Sequence, residues 1–248
     1  MIEDKPMTKV VKRGYNSKDE IEFGSQWKDK LNQAGEELFF LLNRGYKLNP
    51  SSNFIGNHYM LSERQRLALA RMVSSKAQLK LRKVKELLPE KLPKRVVIDG
   101  FNTIISLEVA LSGSLVIKGM DSTIRDLAGL RGTYRIIDKT NQAVHYVFQA
   151  LEKLNISELV FYLDQPVSNS GRLKSLIYKI SERYKLIVAV EVINDVDRVL
   201  EKREGVITSD AIILDKCVSW FNLNKWIIDN YVEQAWVFEL DNLEWRNW

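Results

Sequence analysis

Three short apolar runs in this chain end on an aspartate: Arg95-Val-Val-Ile-Asp99, Leu159-Val-Phe-Tyr-Leu-Asp164 and Gly205-Val-Ile-Thr-Ser-Asp210. Runs of about 4–8 apolar residues bounded by turn residues read as buried strands, and amphipathic stretches of helical period lie between them. That alternation constrains the chain to an α/β fold, a parallel sheet covered by helices. In an open parallel sheet the loops at the carboxyl ends of neighbouring strands converge on one crevice, so acids distant in sequence meet there. Carboxylates forced together repel, and a hard divalent cation relieves the repulsion. Asp99, Asp164 and Asp210 are therefore expected to act together, with Mg2+ or Mn2+ as their ion.

The pattern places strands at 96–98, 159–163, 186–192, 206–208 and 226–228, and helices at 141–154, 172–184 and 211–220. The run 235–240 reads as an edge strand or a docking tail. Between 112 and 138 the signal is irregular, and 115–119 reads as a small hairpin. Polar residues recurring from 119 to 135 suit a helix presenting Asp121, Arg125 and Asp126, with Arg131 beyond them.

Ahead of Pro93 the period is helical. Leu31, Ala34, Leu38, Leu41 and Leu42 form one stripe, Gly45 suits a left-handed cap, and Ser62 with Gln65 reads as a capping box. The second helix is expected to continue to Leu88. The organisation that follows is a weakly ordered tail at 1–25, a small basic all-α domain at 26–92 and an α/β domain at 93–248. Charge divides the same way: residues 1–95 carry 20 Lys and Arg against 11 Asp and Glu, whereas the remainder carries 17 against 21. A positive helical face attracts phosphate backbones without reading sequence, and Arg64, Arg66, Arg71 and Lys80 are its candidates.

Several chemistries are excluded. One cysteine, Cys217, and two histidines, His58 and His145, build neither a disulfide framework nor a zinc site. No apolar run approaches the ~18 residues of a membrane span, and the N-terminal residues do not read as a signal peptide. Neither a P-loop nor a serine-nucleophile motif is present. The expectation is a cytoplasmic protein.

The segment Val-Val-Ile-Asp99-Gly-Phe-Asn102-Thr-Ile resembles the first motif of PIN-like nucleases, and of their NYN branch in particular. The resemblance extends over about residues 95–228, and the pairing of a helical domain with a PIN-like one is similar to a prokaryotic family found mainly in archaea and bacteria. It implies a PIN-like sheet in which Asp164 and Asp210 join Asp99 as metal carboxylates, with Ser209 beside Asp210. It also implies that Glu108, on the helix after Asp99, supplies a further catalytic ligand.

From the residues themselves, Asp195 is favoured over Asp197 as the acid contributed by the loop at 192–197, and Asp126 is a further catalytic candidate. Asn102 either holds Asp99 or contacts phosphate. Ser168, Asn169 and Ser170 form a turn suited to seat a phosphate at a helix start. Asp215, five residues beyond Asp210, is expected to turn away. The leading expectation is a metal-dependent ribonuclease, a hydrolase of RNA phosphodiesters in which Arg125 and Arg131 help to position the strand. A non-catalytic RNA- or ribosome-binding protein is the alternative, a small-molecule phosphohydrolase the weaker one, and a homo-oligomer is compatible with each.

Overall fold

In β1 (Arg95–Asp99) every residue after Arg95 is buried, and the period-two alternation of a strand decides where each side chain goes. Val96 and Ile98 enter one core with Phe101, Ile104, Val147 and Phe148, while Val97 enters another with Leu200, Leu214 and Trp220. The next strand, β4 (Glu158–Asp164), repeats this: Leu159, Phe161 and Leu163 face the first core and Val160 the second. A sheet whose strands are apolar on both faces must be covered on both.

The computed structural model describes residues 11–129 and 132–241. Its main sheet has five parallel strands in the order β5-β4-β1-β6-β7, with β5 at Ile187–Ile193, β6 at Val206–Ile207 and β7 at Trp220–Phe221. The chain builds outward from β1 through β4 to β5, then returns to the other side of β1 for β6 and β7. The order thus reverses between β1 and β6, the switch point at which open α/β sheets leave a crevice. Around the sheet lie α6 (Gly100–Leu111), α7 (Asp138–Lys153), α8 (Ser170–Ser181), α9 (Val196–Leu200), α10 (Ala211–Lys216) and α11 (Leu223–Tyr231). Gly100 permits the tight turn from β1 into α6, because a Cβ there would collide with Leu163 and stand 2.9 Å from the Tyr162 carbonyl.

The fifth strand is not where the pattern put it. Residues 226–228 lie in α11, and the strand is the two-residue β7, too short to show a period. Its place is fixed by Trp220, whose indole Nε1 donates to the Arg82 carbonyl at 2.8 Å. The helix expected over 119–135 is also absent. Instead β2 (Val116–Lys118) pairs antiparallel with β3 (Ile124–Asp126), turning through Ser122 at φ 65°. The run 235–240 does supply an edge strand, β8 (Val237–Glu239), parallel to β2 in a separate three-stranded sheet.

The N-terminal region is helical as expected: α1 (Asp19–Glu22), α2 (Ser25–Asn43), α3 (Leu48–His58), α4 (Glu63–Met72) and α5 (Lys76–Lys85). The last two are not one helix. Ser75 opens a second capping box with Gln78 after Val73 turns extended, matching the Ser62/Gln65 box that opens α4. These helices bury Leu31, Leu38, Ile55 and Leu69 against Ile117 of β2, Phe238 of β8, Leu127 and Leu240. One core is therefore shared by residues on both sides of Pro93.

Within the expected tail, residues 11–25 are docked. Arg13 pairs with Glu108 at 2.8 Å, Asp19 is buried against Arg64, and Phe23 meets Phe238 edge-on at 5.2 Å.

Arg82 of α5 ties these parts together. It is 1% exposed and donates to Asp121 in the β2–β3 turn, to Asp215 of α10, both at 2.6 Å, and to Ser74 at 2.9 Å. Removing one partner of a buried ion pair strands the other charge. Arg82→Ala is therefore expected to cost about 3–5 kcal/mol, read as a lower urea midpoint with an unchanged slope. A loss under about 1 kcal/mol would mean that Asp121 and Asp215 find other partners.

Candidate functional site

The end of β1 delivers Asp99 to the switch point almost wholly buried, at 6% exposure. Its one hydrogen bond comes from Thr208, whose hydroxyl donates to Asp99 Oδ2 at 2.8 Å and accepts the Asp210 N–H at 3.0 Å. Burial pushes the Asp99 carboxyl up to about 8; Thr208 opposes the rise, while Asp210, Asp164 and Asp197 add to it. Asp210 caps α10, accepting the N–H groups of Ile212 and Ile213 at 2.7 and 3.3 Å. Asp164, half-buried at the end of β4, is raised by desolvation and by Asp195, against a backbone hydrogen bond from Val196. Asp99 thus lies within electrostatic reach of the other two strand-end acids, Asp164 and Asp210.

The fourth acid is Asp197 rather than Asp195. Both acids are exposed, but Asp195 takes a left-handed conformation and spends its carboxylate capping α9 on the Arg198 N–H at 3.4 Å. Asp197, in the first turn of α9, is raised by partial desolvation and then by Asp210, Asp164 and Asp195. The signal was present: in Asn194-Asp195-Val196-Asp197 the acid directly before the helix is the natural N-cap, leaving the later one free.

Among the described residues none of Asp99, Asp164, Asp197 and Asp210 forms an ion pair. Nor, among those residues, do three His, Cys, Asp or Glu side chains stand close enough to grip one ion as placed. In donor chemistry the cluster suits a hard cation: oxygen ligands only, mutual repulsion, and no resident positive partner.

Asn102, in the first turn of α6, holds the loop after β6, its Oδ1 accepting from the Ser209 N–H and hydroxyl at 2.8 and 2.9 Å. Its amide NH2 has no partner among the described residues and is free to donate. Arg125 is a different case from the phosphate ligand expected. It is buried and donates to the Ser209 carbonyl at 2.7 Å, the Arg71 carbonyl at 2.8 Å and both oxygens of Asp121. Burial alone would raise Asp121, but Arg125 and Arg82 outweigh it and hold that carboxyl down at about 2.

Other candidates are also spent structurally. Glu108 is fully buried among Arg13, Tyr134 and Thr140, far from solvent, so it cannot serve as a catalytic ligand. Ser168 exchanges two hydrogen bonds with the Tyr134 backbone, Asn169 donates to the Tyr134 carbonyl at 2.6 Å, and Ser170 is buried. The phosphate seat is thereby filled by the chain itself. Arg64 binds Asp19 and the carbonyls of Leu127 and Gly14; Arg66 binds the Leu61 carbonyl and Asn57. Asp215 is held by Arg82 and Gln78. Arg131 lies outside the described residues. Arg71, 38% exposed, and the exposed Lys80 remain available to an anion.

Beside the acids, a cleft of about 380 Å3 opens between α4 and the α/β part, with Leu67, Arg71, Asn102, Ile105, Asp126 and Asp210 on its walls. Asp126 reaches it from β3, braced by the Ser106 hydroxyl at 3.0 Å and the Ala128 N–H at 2.9 Å. No helix among the described residues is long and apolar enough to cross a membrane.

Comparison with known proteins gives a family but no activity. Residues 88–226 match the family described as "Domain of unknown function (DUF5616)" and residues 30–85 match "Protein of unknown function (DUF434)". The "Uncharacterized protein MJ0935" of Methanocaldococcus jannaschii is 36% identical over 186 residues, covering 74% of this chain and 88% of that protein. No solved structure matches.

The raised Asp99 carboxyl has a consequence for stability. From about pH 4 to 8 the folded protein keeps this proton while the unfolded chain has released it, so stability falls as pH rises through that window. Asp99→Asn is expected to flatten the decline, melting above the native chain at pH 8 and level with it near pH 4. Parallel melting curves across the window would remove Asp99 as the uncompensated charge.

Proposed function

The chain belongs to the DUF5616 family, and from its site we propose that it is a divalent-metal-dependent ribonuclease of PIN-like fold acting in the cytoplasm. The observation carrying this reading is the set of four carboxylates at the switch point, Asp99, Asp164, Asp197 and Asp210: Asp99 and Asp197 are both raised by burial and by the neighbouring acids, and none of the four has an ion-pair partner among the described residues. These side chains would hold Mg2+ or Mn2+. Bound there, the ion supplies an activated water and neutralises charge on the phosphodiester oxygens.

The remaining work falls to the chain. Thr208 fixes the orientation of Asp99 and links it to the Asp210 backbone, while α10 holds the Asp210 carboxylate. Asn102 and Arg71 present free donors on the wall of the adjoining cleft, where a phosphate entering the site would be met.

A second reading, an RNA- or ribosome-binding protein without catalysis, draws on the acids not being drawn together to coordination distance. The phosphohydrolase reading loses its support, since the loop at 168–170 is closed onto Tyr134.

The test uses the full chain, because the helices share a core with β2 and β8. End-labelled single-stranded and structured RNAs are incubated with Mn2+, Mg2+ or EDTA, beside an Asp99→Asn/Asp164→Asn variant. Metal-dependent cleavage is expected, falling at least about 100-fold in the variant. RNA binding without cleavage under any metal would favour the second reading. Neither binding nor cleavage would reject both.

A further inference from the structure

The cleft beside the acids does not end at α4. A second cleft, of about 290 Å3, opens at the C-terminal end of the same helix and shares Ala70, Arg71 and Ala211 with the first. Two clefts with three walls in common form one groove, running from Asp210 past Arg71 to Tyr46 in the loop between α2 and α3.

We propose that this groove seats two consecutive nucleotides of a single RNA strand, with Arg71 at the phosphate that links them. The inference rests on the ribonuclease reading for the direction of the strand, since it places one end of the groove at the acids. Each cleft has about the volume of the smallest ligand sites, enough for one base and its ribose. The inner one offers a nucleobase apolar walls, Leu67 and Ile105, together with the Asn102 NH2 as donor and the Asp126 carboxylate as acceptor. The outer one offers Tyr46, a ring 62% exposed that makes no ring contact among the described residues and is flanked by the exposed Arg44 and Lys47. Stacking on an exposed aromatic is the sequence-tolerant way to hold an unpaired base.

Arg71 marks the boundary between the clefts. Its Nη1 donates to the Asp126 carbonyl and stands 4.0 Å from the Asp126 carboxylate, an ion pair at the limit of contact, while its Nε and Nη2 have no partner among the described residues. Arg82 also borders the outer cleft, but Asp121 and Asp215 occupy it, so the cation left for a phosphate is the one at the junction. A base pair fits neither cleft, so the groove selects unpaired RNA.

The test measures binding in EDTA, where a metal-dependent enzyme cannot cut. The probes are AMP, the 5′-phosphorylated dinucleotide ApA, a hexameric oligoadenylate and an extended Glu-rich hexapeptide. Affinity is expected to rise at least about 10-fold from AMP to ApA and to change little from ApA to the hexamer. Tyr46→Ala should abolish the gain from the second nucleotide and leave AMP binding intact. Ala70→Trp, which fills the groove from the exposed side of α4, should weaken both, with its melting temperature checked against the native chain. Arg71→Gln should reduce ApA binding more than AMP binding and keeps the proposal testable if Ala70→Trp fails to fold.

Equal affinity for AMP and ApA, indifference to Tyr46→Ala, or tighter binding of the peptide would overturn the groove. Length-dependent binding without metal-dependent cleavage keeps the groove and rejects the nuclease. Cleavage whose KM ignores both Tyr46→Ala and Arg71→Gln does the reverse.

Discussion

A single buried carboxylate, that of Asp121, holds the arrangement together. It sits in the turn between β2 and β3 and receives Arg82 from the helical region at 2.6 Å and Arg125 from the next strand at 2.6 Å. Each arginine then reaches onward. Arg82 fixes α10 through Asp215 and carries β7 through its carbonyl, while Arg125 fixes the loop after β6 through Ser209. Two charges of one sign around one of the other, all desolvated, are tolerable only when every donor is placed, so the network specifies the seating of α5.

The molecule treats its buried acids in two ways. Asp121 is held by two arginines that keep its carboxyl well below the usual range, and Glu108, although desolvation raises it, is engaged by Arg13, Tyr134 and Thr140, so both behave as parts of the scaffold. Asp99 is as deeply placed, yet one hydroxyl is its whole compensation, and its nearest charges are of its own sign. A fold that neutralises some buried carboxylates thoroughly and leaves another in deficit stores free energy there that a cation would release. The contrast within one chain is the physical ground for reading the strand ends as a site rather than as part of the scaffold.

Much of this was legible in the primary structure. The strands around residues 96, 159, 187 and 206, the helices α7 and α8, the apolar stripe of α2, the capping box at Ser62 and the strand-end positions of the three acids follow from period and punctuation. The errors have physical causes. Residues 226–228 are as apolar as a strand, but Ile227 and Ile228 lie on one buried helical stripe with Leu223 and Asn224. Ser75 breaks the second helix because its hydroxyl caps α5 on the Gln78 N–H, a pairing that the helical period around it conceals. A guanidinium reads the same in sequence whether it faces solvent or a carboxylate, so the buried roles of Arg82 and Arg125 are not legible there.

The amino-acid order by itself determined the layers and the position of Asp99, Asp164 and Asp210 at or just beyond strand ends, because strand alternation and short connections are local properties of the chain. Only the tertiary structure decided which charges are free. Arg82 finds Asp215 across 133 residues and Arg13 finds Glu108 across 95, partnerships that no local pattern encodes. Desolvation raises every buried carboxyl, and whether the rise is overcome depends on the neighbour that the completed fold brings beside it, which is chosen by packing.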